Sequence, residues 1–283
     1  MRHFYLIVNR EKKNAERGAA LVSEYLAERG CQCFRSDKKL EGSTKYRYTD
    51  GREIPPETEG IIVLGGDGTM IQAARDLYGR ELPLFGINMG NLGYLTQVGR
   101  ESEIIPALDE LIADHYRKET RMMLCGTVYS ERTPQFEDLA LNDIVISRTG
   151  IDAIRFSLYV DDQLFSEYSA DGLIVSTPTG STAYNLSAGG PVAAPEAELM
   201  ILTPICPHTL NSRSIVLSSE SRISIRIESR EESRQAVSFD GESVVELRPG
   251  ERVEIEKSKR KTTLIQLQQK PFLENIRNKM KQI

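Results

Sequence analysis

The 283-residue sequence contains no apolar run approaching the roughly 20 residues that cross a bilayer, so nothing in it reads as a membrane-spanning helix. Its beginning, MRHFYLIVNREKK, has one short apolar stretch and then charge. That is too short for a signal peptide and reads as a buried first strand; with no export signal, the expectation is a cytoplasmic protein. Histidine is scarce: His3, His115 and His208 stand far apart, which leaves no His-rich metal site. The four cysteines, Cys31, Cys33, Cys125 and Cys206, form no CxxC pair and no metal-ligand spacing, and read as small buried hydrophobes kept reduced. Positive charge is not in excess either. A net charge of −5 speaks against a nucleic-acid surface. The one basic run, KSKRK at 257–261, lies between the alternating runs RVEIE and TTLIQLQ, and is expected to be the solvated tip of a hairpin. Two nucleotide fingerprints are missing as well. There is no GxxxxGK[ST] loop, and Gly86, Gly90 and Gly93 of GINMGNLGYL do not have GxGxxG spacing, which argues against a P-loop NTPase and a Rossmann dehydrogenase.

What is present suffices for two domains: a hydrophobic content of 40% and a charged content of 27% are those of a soluble globular protein. The first hundred residues alternate between strand and helix patterns. FYLIV at 4–8 is a continuous apolar run, as in a parallel strand covered on both faces. Residues 15–29 read as a helix closed by Gly30, and CQCF as a second strand. A long polar loop at 36–59 carries Tyr46 and Tyr48. IIVL at 61–64 is a third strand, followed by Met70, Ala73, Ala74, Leu77 and Tyr78 at helical spacing, and LPLFGIN is a fourth. This is a doubly wound α/β pattern. One more helix is expected from residue 102 to about 116, with Ser102 as its N-cap.

Beyond it the period changes to two. ISIRIE sets Ile223, Ile225 and Ile227 on one face, FSLYV and RVEIE behave similarly, and about ten short strands are expected between 121 and 268. The tail PFLENIRNKMKQI aligns Phe272, Ile276 and Met280 on one face of a helix. The expected organisation is an α/β domain at 1–100, an all-β, sandwich-like domain of stacked sheets at 101–270, and a helix at 271–283 returning to the first domain.

The strongest local signal is GGDGT at 65–69, set between a strand and a helix. Ligands of open α/β sheets bind at the carboxyl ends of strands. Glycines admit close backbone approach and positive φ, the N–H groups of a helix start attract phosphate, and Thr69 is placed to cap the helix. Asp67 is the odd residue, because a carboxylate there repels phosphate unless it takes a proton or holds a metal. VSTPTGSTAYN at 175–185 is the other unusual stretch, with hydroxyls on Ser176, Thr177, Thr179, Ser181, Thr182 and Tyr184. Such short side chains bond a polar ligand at little entropic cost. Residues 182–184 are expected to begin a helix whose N–H groups face that ligand. Asp161 and Asp162 read as a turn, and His208 as a hydrogen-bonded structural residue.

GGDGT at 65–69, NMGNLGYLT at 88–96, LND at 141–143, DGLIVSTPTGSTAYNLSAGGPV at 171–192 and TPICPHTLNSR at 203–213 together resemble the NAD kinase family, in the family's order and over most of the chain between 60 and 245. GGDGT alone is shared with lipid kinases and loosely with phosphofructokinases; TPTGSTAY is far more specific. The resemblance implies phosphorylation, by ATP or polyphosphate, of the 2′-hydroxyl of the adenosine ribose of NAD to give NADP. It also implies an α/β domain and an all-β domain with the active site between them, and a homodimer or homotetramer. Asp67 matches the family's catalytic aspartate. Gly65, Gly66, Gly68 and Thr69 match the cradle of the donor phosphates. Asn142, Asp143, Asp171, Thr179, Thr182, Ala183, Tyr184 and Ser187 match NAD-contacting positions, as do Asp67 and Gly68. Mg²⁺ would be carried mainly by the donor's phosphates, with no protein metal ligands expected.

The sequence departs from the family at three places. Asp143 stands where Glu is usual. YSADG (Tyr168, Ser169, Ala170) replaces RSDG or RGDG, leaving a cation missing or supplied elsewhere. FDGES has no histidine, and Glu242 is read as the charged partner there. Two other readings fit parts of the pattern: a lipid or sugar kinase sharing GGDGT, and an NAD(P)-binding sensor without catalysis. The first would want an exposed apolar entrance that does not stand out, and the second has no need of Asp67.

Overall fold

Continuous apolar runs become parallel strands in the first part of the chain. The computed structural model describes residues 1–36, 47–77, 79–88, 93–209, 212–228 and 234–267, with Phe272, Ile276 and Arg277. Contacts divide the chain into two compact units, Met1–Thr120 with Thr262–Ile283, and Arg121–Lys261.

The first unit opens with β1 (His3–Val8) and α1 (Ala15–Glu28), followed by β2 (Gln32–Arg35), β3 (Gly60–Leu64), α2 (Asp67–Asp76), β4 (Leu84–Ile87) and α3 (Ile104–Ile112). Gly30 ends α1 with φ of +70°, donating its N–H to Ala27 while Cys31 donates to Leu26. This paired closure satisfies two carbonyls that a helix end leaves open. The strands are parallel in the order β2-β1-β3-β4. The chain runs outward from β1 to β2 and then returns to the other side of β1 with β3. Strand order therefore reverses between β1 and β3, the place where open sheets take their ligands. Asn9 and Gly65 leave the carboxyl ends of these two strands.

In α2, Met70, Ala73, Ala74 and Leu77 are buried as their spacing predicts; Tyr78 lies outside the described residues. α3 starts after a single 3₁₀ turn, Glu101–Glu103, and no side chain caps it, so Ser102 is not its N-cap. Its Ile104, Leu108 and Leu111 join the apolar cluster of Leu26 and Val22 from α1. That packing keeps α3 in the first unit, which runs about twenty residues past the division expected at residue 100. The expected helix at 271–283 and residues 37–46 of the polar loop, Tyr46 among them, lie outside the described residues, apart from Phe272, Ile276 and Arg277. The described end of that loop is anchored. The N–H groups of Arg47, Tyr48 and Thr49 donate to the buried carboxylate of Asp76, Tyr48 at 2.8 Å.

Twelve strands follow: β5 (Arg117–Ser130), β6 (Thr133–Ala140), β7 (Asp143–Arg148), β8 (Ile154–Val160), β9 (Gln163–Ala170), β10 (Gly172–Ser176), β11 (Leu199–Ile205), β12 (Ile215–Ser218), β13 (Ile223–Ile227), β14 (Gln235–Phe239), β15 (Ser243–Leu247) and β16 (Arg252–Gln266). One four-residue helix, α4 (Tyr184–Ser187), interrupts them. Within the second unit one antiparallel sheet has the order β12-β11-β10-β7-β14-β15, and another contains β16-β13-β8-β9 with the β5–β6 hairpin. Ile144, Leu173 and Val237 of one share a single apolar cluster with Phe156, Ile225 and Val253 of the other. This is the stacked-sheet domain that the period of two predicts.

Asp161 and Asp162, with φ of +50° and +63°, form the two-residue turn between β8 and β9. The basic run 257–261 is not a hairpin tip. It lies inside β16, one continuous strand, where Lys257 bridges Glu198 at 2.8 Å and Glu220 at 2.7 Å. Paired charge lets a basic run sit in a strand that composition alone reads as a turn. No described helix is long and apolar enough to cross a membrane.

Candidate active site

The GGDGT turn sits where the strand reversal predicts it. Gly66 is the N-cap residue of α2 and Asp67 its first residue. The first bond inside the helix runs from the Met70 N–H to the Gly66 carbonyl, so the N–H groups before it point off the helix end. None of the three glycines has positive φ, contrary to the sequence expectation. Gly65 is required for another reason: a Cβ there would fall on the Thr69 side chain. At Gly66 and Gly68 a Cβ would meet nothing within 4 Å, so the backbone is open to a ligand on that side. Thr69 is buried and does not cap the helix; its hydroxyl accepts the Asn9 amide at 3.0 Å. Asn9 belongs to no motif of the sequence. Its one signal is its position immediately after the first apolar strand.

The Asp67 carboxylate is gripped at both oxygens by main-chain N–H groups, Tyr94 at 2.5 Å and Leu95 at 3.0 Å. Gly93, whose N–H donates to the Thr96 hydroxyl at 2.9 Å, lies so close that a Cβ there would overlap the carboxylate. One bond to each oxygen leaves lone pairs for a further partner. Burial raises the Tyr94 phenol above its usual range, and the Asp67 charge adds to the shift.

In the second unit the LND turn is held from two sides. The Asp240 carboxylate accepts the N–H groups of Leu141 at 2.8 Å, Asn142 at 2.7 Å and Asp143 at 3.1 Å. From the other side, Thr177 donates its hydroxyl to the Leu141 carbonyl at 2.6 Å and its N–H to the Asn142 carbonyl at 2.8 Å. Gly180 stacks so tightly on Asn142 that a Cβ would strike its carbonyl oxygen. Glu242, the charged partner expected here, is exposed, and it is the Asp240 carboxylate that accepts the N–H groups of the turn. Asp143 itself is buried. Burial, then the charge of Asp240, pushes its carboxyl from 3.8 up to about 7.

Most of the hydroxyls in VSTPTGSTAYN are turned inward. Ser176, Thr177, Thr179 and Ser181 are buried. Ser176 and Ser181 bond carbonyls of their own loop, Ser181 reaching Pro178 at 2.6 Å, while Thr179 accepts from Arg121 at 3.3 Å. These hydroxyls build the loop, replacing the strand ladder that an irregular buried segment lacks. Thr182 and Ala183 are half-buried and Tyr184 and Ser187 exposed, so these four are the ones presented outward. Residues 180–182 make one 3₁₀ turn and α4 one short α-turn, in place of a longer helix. Asn185, buried, ties the loop together by donating to Ser181 and Pro191 and accepting from Thr203.

Asp171 joins β9 to β10, and its main chain is fixed at both ends: its N–H donates to Ile205 and its carbonyl accepts from Arg148, each at 2.9 Å. Its carboxylate pairs with the same arginine, Nε to Oδ1 at 2.8 Å. A cation therefore stands beside Asp171 although Ala170 is buried in the core and Ser169 is neutral. His208 is exposed, with its N–H on the Ser169 carbonyl. Among the described residues no group of three or more His, Cys, Asp or Glu is placed to hold a metal ion.

Two sequence comparisons cover both units. Residues 4–116 match the ATP-NAD kinase N-terminal domain and residues 121–267 the ATP-NAD kinase C-terminal domain. The NAD kinase of Lachnospira eligens is 41% identical, over 99% of this chain and 100% of the relative. The crystal structure of an NAD kinase from Archaeoglobus fulgidus in complex with ATP is 27% identical, with a TM-score of 0.77 over 100% of both chains. Yeast NADH kinase complexed with NADH shares the fold, with a TM-score of 0.87 at 21% identity over 99% of this chain and 88% of that one. With both domains matched and a full-length relative at that identity, the chain belongs to the ATP-NAD kinase family.

Proposed function

We propose that this protein transfers the terminal phosphoryl group of ATP to the 2′-hydroxyl of the adenosine ribose of NAD, giving NADP and ADP. The observation that carries the reading is the Asp67 carboxylate. In a chain matched over residues 4–116 and 121–267 by a kinase family, it stands at the strand reversal and is held at both oxygens by main-chain N–H groups beside an open glycine backbone. Phosphoryl transfer asks for little covalent chemistry from the protein, mainly positioning and charge stabilisation. Gly66, Gly68 and Thr69 supply main-chain N–H groups for the donor phosphates, and Gly65, whose own N–H bonds the Ile87 carbonyl, completes the cradle by letting the Thr69 side chain pack against it. Asp67 accepts the proton of the 2′-hydroxyl as that oxygen attacks phosphorus and the bond to the ADP leaving oxygen breaks. Asn142, Asp143, Asp171, Thr182, Ala183, Tyr184 and Ser187, with Asp67 and Gly68, recognise NAD, and Thr179, turned inward to Arg121, serves the NAD site by holding the loop that carries them.

Polyphosphate is the other donor to be tried. A divalent cation such as Mg²⁺ is the proposed companion of the donor phosphates, whose oxygens would hold it. When bound it neutralises the phosphate charge. We further place the chain in a homodimer or homotetramer, a state that light scattering after gel filtration reads directly. The test of function is NADP formation from NAD with ATP and Mg²⁺, and with polyphosphate in a parallel reaction. NADP from either donor supports the reading; none from both, at NAD concentrations that saturate binding, ends it.

A further inference from the structure

We infer that Arg148 is a positioning residue for the NAD site: it sets the plane and orientation of the Asp171 carboxylate before substrate arrives. The inference rests on the reading of Asp171 as an NAD contact. The guanidinium meets the carboxylate at two points, Nε to Oδ1 at 2.8 Å and a terminal nitrogen to Oδ2 at 3.3 Å. This two-point pairing fixes the carboxylate plane as well as its position, which an ammonium point charge does not do. The remaining terminal nitrogen donates to the carbonyls of Gly150 at 3.0 Å and Ile151 at 2.7 Å. The guanidinium is thereby pinned to the turn after β7 and has no freedom to follow the carboxylate.

The main chain of Asp171 is already fixed by Ile205 and by the Arg148 N–H. Only the side-chain torsions of Asp171 remain adjustable, and these are what the guanidinium removes. Each frozen torsion lowers the ordering cost of binding NAD. The two residues reach each other because β7 and β10 are antiparallel neighbours, with Ser147 opposite Gly172. Nothing in the local sequence around Asp171 shows this. Both partners are about one-third exposed, 33% and 29%, so the pair is open enough for a ligand to reach the carboxylate.

The test uses the full-length enzyme and the variants Arg148→Ala, Arg148→Lys, Asp171→Ala and the double variant. The Arg148 N–H that bonds Asp171 belongs to the main chain, so Arg148→Ala keeps the strand pairing, and thermal unfolding checks that it does. The expected result is a rise of about tenfold in Kd and KM for NAD in Arg148→Ala, with kcat changed less than threefold. Arg148→Lys should recover only part of the affinity. In the Asp171→Ala background, removing Arg148 should change Kd less than twofold, because the residue acts through that carboxylate. An unchanged Kd in a folded, active Arg148→Ala enzyme overturns the inference, as does an Arg148 effect of the same size with Asp171 absent. Failure of the functional reading would look different: no NADP from the wild-type enzyme at all.

Discussion

The carboxylate of Asp240 holds the N–H of Asn142 at 2.7 Å across 98 residues of sequence. With the neighbouring N–H groups of Leu141 and Asp143 it forms a three-donor nest that shapes the LND turn. Removing the acceptor leaves main-chain donors in a half-buried turn without a partner, at roughly 1–3 kcal/mol for each that water fails to reach. Asp240→Ala is expected to lower stability by at least about 2 kcal/mol and to weaken NAD binding tenfold or more. Denaturant titration and NAD calorimetry read the two effects. Unchanged NAD affinity in a folded Asp240→Ala protein would show that the turn keeps its shape without this carboxylate.

Asp67→Asn tests the proposal that Asp67 accepts the proton. The amide keeps one oxygen for the main-chain donors and loses the negative charge that takes up a proton. NAD binding is expected to persist within a fewfold, while kcat falls roughly 10²–10⁴-fold, the usual range for a lost general base. Steady-state kinetics beside NAD calorimetry separates the two. Turnover close to wild type assigns the base elsewhere.

How legible these features are in the sequence follows from how far each interaction reaches. β1 and β3 announce themselves because both of their faces are buried, which requires an unbroken apolar run. Gly30 marks the end of α1 because a positive φ is a local demand. GGDGT is recognisable as the turn from β3 into α2 since strand, glycines and helix are consecutive. Asp240, Arg148 and Asn9 are not readable in this way: each serves a residue brought near only by strand pairing or by the crossover between strands. The hydroxyls of 176–181 mislead for a related reason. A buried irregular loop and a polar ligand ask for the same side chains, and only the fold shows that these face inward. The basic run in β16 reads as a turn until Glu198 and Glu220 arrive from elsewhere to pair with it.

Asp143 makes stability depend on pH. Its carboxyl lies at about 7 in the folded protein against 3.8 ordinarily, through burial and then the Asp240 charge. Between these values the folded chain holds a proton that the unfolded chain has released. Stability therefore falls as pH rises from about 4 through about 7 and levels off above, by up to roughly 4 kcal/mol. Asp143→Asn mimics the protonated acid at every pH. It is expected to exceed wild type by roughly 1–2 kcal/mol at pH ~5 and by roughly 4 kcal/mol at pH ~8. Asp76, also raised by burial, contributes equally to both proteins and cancels in the difference. Urea midpoints at the two pH values measure it, and equal slopes with pH for the two proteins would remove Asp143 as the cause.

Gly93→Ala probes the same carboxylate as Asp67→Asn without touching it. A methyl at Gly93 overlaps the Asp67 carboxylate, which the Tyr94 and Leu95 N–H groups prevent from simply stepping aside. The added group must either push the carboxylate off these donors or distort the turn that carries them. Both outcomes displace the carboxylate that we propose accepts the proton. Misplacement by about 1 Å costs on the order of 10²-fold in a positioned reaction, so kcat is expected to fall by about that factor with a smaller change in the NAD dissociation constant. Combined with Asp67→Asn, Gly93→Ala should add little, since the group it displaces has already lost its charge. A full additional loss in the double variant would mean that Gly93 acts on something other than Asp67.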